Sequence, residues 1–375
     1  MRILFITTMT GWAWGGSEEL WSQVAVRLAG AGHTVFAYSA RQPPYSPKFT
    51  SLAEHGITLR HAPAPQLIKS LVMLRLFGQK TNAKEEAWVI DQKPDLVVIS
   101  QGGNSDGIVW MEFCRKAGYP YCSISQCNND FWWVEDATAV ELAARYREAR
   151  GVYCVSRHNL RMLEWQIGET LPNAKVVWNP NKVSASDLLP WPAETGKTRL
   201  ASVARLDPPA KGQDMLFQIL ALPAWRARPM ELNLYGAGPY EKTMRKMVER
   251  LELKNVNFCG HVANVADVWR ENHALVLPSR QEGMALAQIE AMSCGRPVVA
   301  TDVGGNAELC VDGETGFIAS AAAIGPFNDA LERAWVRRAD WPILGHAAHL
   351  RVRQIVPADP VGDLCGLITA CVKAR

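Results

Sequence analysis

No run of this 375-residue chain reaches the roughly 20 uninterrupted apolar residues that a membrane-spanning helix needs. Its nine cysteines show no regular spacing and no Cys-x-x-Cys pair. An odd, scattered set fits reduced thiols better than a secreted disulfide framework. Neither sign of charge dominates: 40 Lys and Arg interleave with 37 Asp and Glu, for a formal charge of +3. Without a concentrated basic face, nucleic acid is not an expected partner. The start, Met1-Arg-Ile-Leu-Phe-Ile-Thr-Thr8, is too short and too β-branched for a secretory signal. No Asp-x-Asp sits at a strand end, so no divalent metal is expected. These absences together predict a cytoplasmic protein, at most resting on the inner face of a membrane.

What is present is alternation. A chain with 48% hydrophobic residues can bury two cores. Strands are predicted at Arg2–Thr8, Val35–Ser39, Thr58–His61, Leu96–Ser100, Tyr121–Ser125, Gly151–Val155 and Lys175–Trp178. Helical patterns separate them at Ser17–Ala31, Leu67–Gln79, Ala83–Gln92, Asp106–Ala117, Val140–Arg150 and His158–Gln166. The turn-rich stretch Asn179–Gly196 reads as a linker. Alternation then restarts, with strands at Arg199–Ala204, Glu231–Tyr235, Val256–Cys259, Ala274–Leu277, Val298–Thr301 and Phe317–Ala319. Strands apolar on both faces, alternating with helices, predict parallel sheets covered on both sides. The expected α/β architecture is two doubly wound domains facing each other across an interdomain cleft, residues 1–180 and 181–355. A last helix, about 356–375, is expected to pack back on the first domain. Ligands of such sheets bind at the carboxyl ends of the strands.

Four motifs fall at such ends. After the first strand, Gly15-Gly16-Ser17-Glu18-Glu19 offers glycines free to take positive φ, an N-cap at Ser17 and acids in the first turn. It reads either as a phosphate cradle or as an ordinary tight turn. Arg205 and Lys211, in Arg205-Leu-Asp-Pro-Pro-Ala-Lys-Gly212, could clamp a diphosphate or simply face solvent. Gly236-Ala-Gly238-Pro could let a nucleotide approach the backbone or only turn the chain. Finally, Glu282 and Glu290 stand between two apolar strands, the first in a strand-to-helix loop and the second in the helix. A carboxylate beside a helix N-terminus can hold sugar hydroxyls while the backbone N–H groups face an anion. The later carboxylate can reach a ribose.

Together with Pro297-Val-Val-Ala-Thr301 and Gly304-Gly305, these residues resemble family 4 of the retaining glycosyltransferases, proteins of GT-B fold. The likeness spans nearly the whole chain, strongest from Ser202 to Phe317. It implies that Glu282 binds donor sugar hydroxyls and that the N–H groups of Gly283, Met284, Ala285, Leu286 and Ala287 hold sugar and phosphate. It further implies a ribose on Glu290, a diphosphate on Arg205 and Lys211, phosphate contact at Gly15 and Gly16, nucleotide contact at Gly236 and Gly238, and base pairing to the backbone of Val262. Many members place a histidine where Gln126 stands here, so no charged side chain is expected at that point.

The reaction implied is transfer of a hexose, with retention, from a nucleoside diphosphate sugar, uridine first and guanosine next. No cofactor and no metal take part. The acceptor is a carbohydrate, a lipid-linked molecule or a small metabolite. Trp12, Trp14, Gln126, Asn128 and Asp130 are the candidate acceptor contacts, with Trp132 and Trp133 beside them. The apolar run Gln66–Gly78, with Lys69 and Arg75, could rest on a membrane but more simply packs on the sheet. A nucleotide-sugar-binding regulator without turnover, an epimerase and a phosphorylase are the rival readings. A dinucleotide oxidoreductase is disfavoured, since the spaced glycines and the acid ending the second strand are missing.

Overall fold

The computed structural model describes residues 1–9, 14–40, 46–62, 83–128, 130–183 and 188–373. The segment 66–78 and Trp12 lie outside the described residues. Two compact units result, Met1–Pro180 with Asp359–Arg375, and Asn181–Ala358.

The first unit holds seven parallel strands: β1 (Arg2–Thr7), β2 (Thr34–Ser39), β3 (Thr58–His61), β4 (Leu96–Gln101), β5 (Tyr121–Ser125), β6 (Gly151–Cys154) and β7 (Ala174–Val176). Their order is β3-β2-β1-β4-β5-β6-β7. β1 is central because Ile3, Leu4, Phe5 and Ile6 are all fully buried, which requires cover on both faces. Phe5 stands opposite Ala37 on one side and Val98 on the other. Between β1 and β4 the strand order reverses. There Thr8 N donates to Ser100 O at 2.9 Å, joining the two loops. The closing helix, Pro360–Lys373, buries Val361, Leu364, Ile368 and Cys371 in this unit.

The second unit repeats the plan with β8 (Thr198–Val203), β9 (Met230–Tyr235), β10 (Val256–Gly260), β11 (Ala274–Leu277), β12 (Val298–Thr301) and β13 (Gly316–Ala319). Their order is β10-β9-β8-β11-β12-β13, again all parallel, so the reversal falls between β8 and β11. The stretch 188–191, read from sequence as linker, is anchored here by Arg296. That fully buried guanidinium donates to the carbonyls of Trp269 (2.8 Å), Cys294 (2.9 Å) and Pro190 (2.6 Å) and lies over the Trp191 ring. Burial pulls its pKa down to about 10, still far above neutrality.

Several sequence expectations are corrected. The first helix runs Gly16–Gly30, with Gly15 as N-cap in extended backbone at φ −146°. Neither Gly15 nor Gly16 takes positive φ, and Ser17 lies inside the helix, where it caps nothing. Helices Pro47–Glu54 and Trp341–Ile355 were not anticipated, nor were the single turns Pro208–Lys211, Pro223–Arg226 and Asn306–Leu309. By length and composition Arg338–Lys373 contains a window apolar enough on average to cross a membrane, although its apolar residues are interrupted. The fold breaks that run into helices of 15 and 14 residues, one in each unit, each with a buried face. Both are shorter than a span requires. All nine cysteines are free thiols.

Candidate functional site

At the reversal point of the second sheet, the loops following β9, β8, β11 and β12 lie side by side. They touch backbone to backbone, and glycine makes that possible. A Cβ on Gly212, whose φ is +67°, would sit 1.9 Å from Pro278 O, driving the β8 loop off the β11 loop. A Cβ on Gly304, at φ +58°, would sit 2.3 Å from Glu282 O, and Gly305 N donates to Gly283 O at 2.7 Å. Gly236 and Gly238 do the same between the β9 and β8 loops, against Ala204 O and Leu206 O. From sequence Gly236 and Gly238 read as nucleotide approach or a simple turn. Loop-to-loop contact is a third role that only the fold reveals.

Those contacts bring Lys211 and Glu282, 71 residues apart, into an ion pair: Lys211 Nζ donates to Glu282 Oε1 at 2.6 Å. Ser279 Oγ donates to the same oxygen at 2.7 Å, and Ser279 O accepts from Thr301 Oγ1 at 2.6 Å. Only 9% of Glu282 is exposed. Arg280 locks the two loops further, donating to Pro208 O at 2.7 Å and to both Asp214 oxygens at 2.6 and 2.8 Å. Arg205 is part-exposed, with Nη2 at 3.3 Å from Asp207 Oδ2, while its carbonyl accepts from Gln213 Nε2.

The helix that follows begins at Leu286 with Ala285 as N-cap and no side-chain cap. Its first N–H groups lack intrahelical acceptors by geometry. Among the described residues, nothing accepts from the N–H of Gly283, Met284, Ala285, Leu286 or Ala287. A short row of donors beside a lysine and an arginine is a place for an anion. Glu290 lies four residues into this helix, about 6 Å along its axis at 1.5 Å per residue, and is 5% exposed. It is therefore not on a solvated face. Helix Trp341–Ile355 covers the same helix, with His349 Nδ1 2.6 Å from Ser293 O. Gly345 allows that approach, since a Cβ there would meet Gly295 O at 2.0 Å. Val262 stands apart, in the loop beyond the edge strand β10, part-exposed.

In the first unit the candidate residues separate into buried and exposed sets. Gln126 (6% exposed) has Oε1 accepting from Asn179 Nδ2 at 3.0 Å, and Asn128 (1%) donates to Asn159 O at 2.5 Å. Both amides are interior groups here, which sequence alone could not tell because they sit in a polar run. Asp130 is exposed and lies 3.1 Å from His158 Nε2. Trp132 and Trp133 are 75% and 60% exposed. Trp14 donates from Nε1 to Glu19 at 3.0 Å and packs against the edge of Phe49, ring centroids 5.1 Å apart. Sequence reasoning took Glu18 and Glu19 for first-turn charges. The fold buries both: Glu18 accepts from Thr7 Oγ1 (3.1 Å) and Trp21 Nε1 (2.8 Å), and Glu19 pairs with Lys48. Gly15 and Gly16 sit at the start of that helix.

Two parallel-sheet α/β units with their polar groups at the reversal point define a GT-B-type architecture. HepE of Anabaena, solved with UDP-glucose, matches at a TM-score of 0.75 and 18% identity, covering 99% of each chain. Residues 197–336, within the second unit, match the family model described as Glycosyl transferases group 1. Among curated relatives, a D-inositol 3-phosphate glycosyltransferase of Gordonia bronchialis is 36% identical over 92 residues, 24% of this chain and 20% of that protein. A GDP-mannose-dependent alpha-(1-6)-phosphatidylinositol monomannoside mannosyltransferase of Mycolicibacterium smegmatis is 34% identical over 137 residues, 33% of this chain and 35% of that protein. The matched segments thus span well under half the length of these relatives.

Proposed function

We propose that this protein is a retaining glycosyltransferase of family 4, moving a hexose from a nucleoside diphosphate sugar to an acceptor hydroxyl. The second unit binds the donor and the first the acceptor. One observation carries the reading: Lys211, Glu282 and an uncapped helix start meet at the reversal point of the second sheet, inside the segment that matches the family. In the bound state the Lys211–Glu282 pair exchanges partners. The sugar hydroxyls take the Glu282 carboxylate, and the diphosphate takes Lys211, Arg205 and the N–H groups of Gly283 to Ala287. Glu290 accepts from the ribose. As the glycosidic bond breaks, its electron pair leaves with the diphosphate, whose oxygen takes the acceptor's proton on the same face. The protein supplies position and charge stabilisation.

Cations of the protein meet the leaving diphosphate in this scheme, so turnover proceeds without a divalent metal. The donor base is uridine or guanosine; HepE was solved with UDP-glucose and the Mycolicibacterium relative is GDP-mannose-dependent. The chain acts in the cytoplasm.

Incubation with a panel of nucleotide sugars, following nucleotide release with and without chelator, tests this. Slow release from one donor, unchanged by chelator, is expected. Tight donor binding with no release would instead favour a regulator without turnover. Loss of release with chelator and recovery with magnesium or manganese would remove the metal-independent mechanism.

A further inference from the structure

Two thiols far apart in sequence meet in the first unit. Cys122 lies on β5 in register with Gly151 on β6, so both residues face the same side of the sheet. Tyr153, two residues beyond Gly151, faces that side too. Its phenol folds back over Gly151, where a Cβ would stand 2.4 Å from the hydroxyl oxygen. Glycine thus leaves the space that sets the Tyr153 hydroxyl beside Cys122. From the closing helix comes Cys371, in the last turn, its Sγ 3.3 Å from the same hydroxyl. Arg150 Nη1 donates to Cys371 O at 3.2 Å and fixes the helix end there. Cys122 and Cys371 are in direct hydrogen-bonding contact. Cys122 is fully buried, whereas 8% of Cys371 is exposed.

The two sulfurs are not equivalent. As a thiol, Cys371 donates to Arg150 O at 3.5 Å. As a thiolate it accepts from Cys122 and Tyr153, and the charges of Arg150 and Lys175 favour it. The Cys122 hydrogen bond is the largest of these effects, and together they hold Cys371 below the usual thiol range against the upward pull of burial. Cys122, the donor, is pushed up. Burial also pushes up the thiols of Cys114, Cys154, Cys259, Cys310 and Cys365. Exposure alone would make Cys259 the reactive cysteine; thiolate character selects Cys371.

We infer that Cys371 is a peroxide-reactive site and that Cys122 is its resolving partner. The Cys371 thiolate attacks one oxygen of hydrogen peroxide, the O–O bond breaks, and hydroxide leaves to be protonated by solvent, which yields a sulfenic acid. Cys122 then attacks the sulfenic sulfur. An S–S bond forms, the S–O bond breaks, and the hydroxyl departs as water with the Cys122 proton. Two thiols and one peroxide become one disulfide and two waters, and the end of the closing helix is pinned to β5. Neither cysteine belongs to the donor site, so the pair stands whether or not the transferase reading holds.

Peptide mapping by mass spectrometry, after the whole chain is treated briefly with a small excess of hydrogen peroxide, tests it. A Cys122–Cys371 crosslink, with loss of two hydrogens and reversal by dithiothreitol, is expected before any oxygen is gained at Cys259. In Cys122→Ser the serine keeps a donor toward Cys371 but supplies no resolving thiol, so Cys371 should gain oxygen instead. Cys371→Ser should leave Cys122 unoxidised under the same treatment. Melting followed by circular dichroism confirms that the variants fold; where one does not, the order of oxidation in the parent decides alone. Oxidation of Cys259 first, oxygen gained at Cys371 of the parent without a crosslink, or an unreacted Cys371 overturns the inference. So does oxidation of Cys122 in folded Cys371→Ser.

Discussion

Lys211→Ala is expected to lower the rate of donor cleavage by about 10²–10³-fold, the effect of removing one preorganised charge-stabilising donor. Two consequences of the geometry add up in this variant. The departing diphosphate loses a cation placed by the short helix Pro208–Lys211, whose end is fixed by Gly212 against Pro278. Glu282, almost fully buried, keeps only the Ser279 hydroxyl on its Oε1 once the 2.6 Å ion pair is gone. A buried carboxylate deprived of its partner is strongly destabilised, so the Glu282 loop should loosen as well. The measurement is single-turnover nucleotide release at saturating donor. Lys211→Arg should recover part of the loss, because charge is retained while the reach changes. A variant within twofold of the parent would remove Lys211 from the chemistry.

Gly304→Ala is expected to lower turnover by about 10²-fold without touching any charged group. The added Cβ would stand 2.3 Å from Glu282 O and 2.8 Å from Gly283 O, so the β11 loop must shift. Displacement of a positioning residue by about an ångström is worth that much in rate. Alanine at φ +58° also strains the backbone by about 1 kcal/mol, and crowding in a packed site adds about 1–3 kcal/mol. Kinetics read beside a thermal melt separate the two effects. A folded variant with parental turnover would show that the Glu282 loop need not be held in register with the β12 loop.

Much of this was legible in the chain. Strands such as Leu96–Gln101 and Val298–Thr301 are buried along their whole length, so their apolar runs announce parallel sheets. Glu282 and Lys211 stood out because each follows an apolar strand. Their pairing did not, since it depends on loop contacts set by Gly212 and Gly304 across separate strands. Helix Trp341–Ile355 was hidden by its own composition. Gly345 and two histidines blur its periodicity, and Gly345 is there for the approach to Gly295. Gln126 and Asn128 looked available in a polar run, yet they close over one another beneath the surface through Asn159 and Asn179. Burial of polar groups follows from which loops meet, and one-dimensional pattern carries no record of that.

The central claim is that two carboxylates in the second unit read the two ends of one donor. Calorimetric titration of nucleoside diphosphate and of the matching nucleotide sugar into the parent, Glu282→Ala and Glu290→Ala tests it most directly. Glu290→Ala should weaken both ligands together, about tenfold or more for a charge-assisted hydrogen bond lost from the ribose. Glu282→Ala should leave the bare nucleotide almost unaffected and abolish the preference for the sugar-bearing form. Identical affinities across all three proteins would contradict the account.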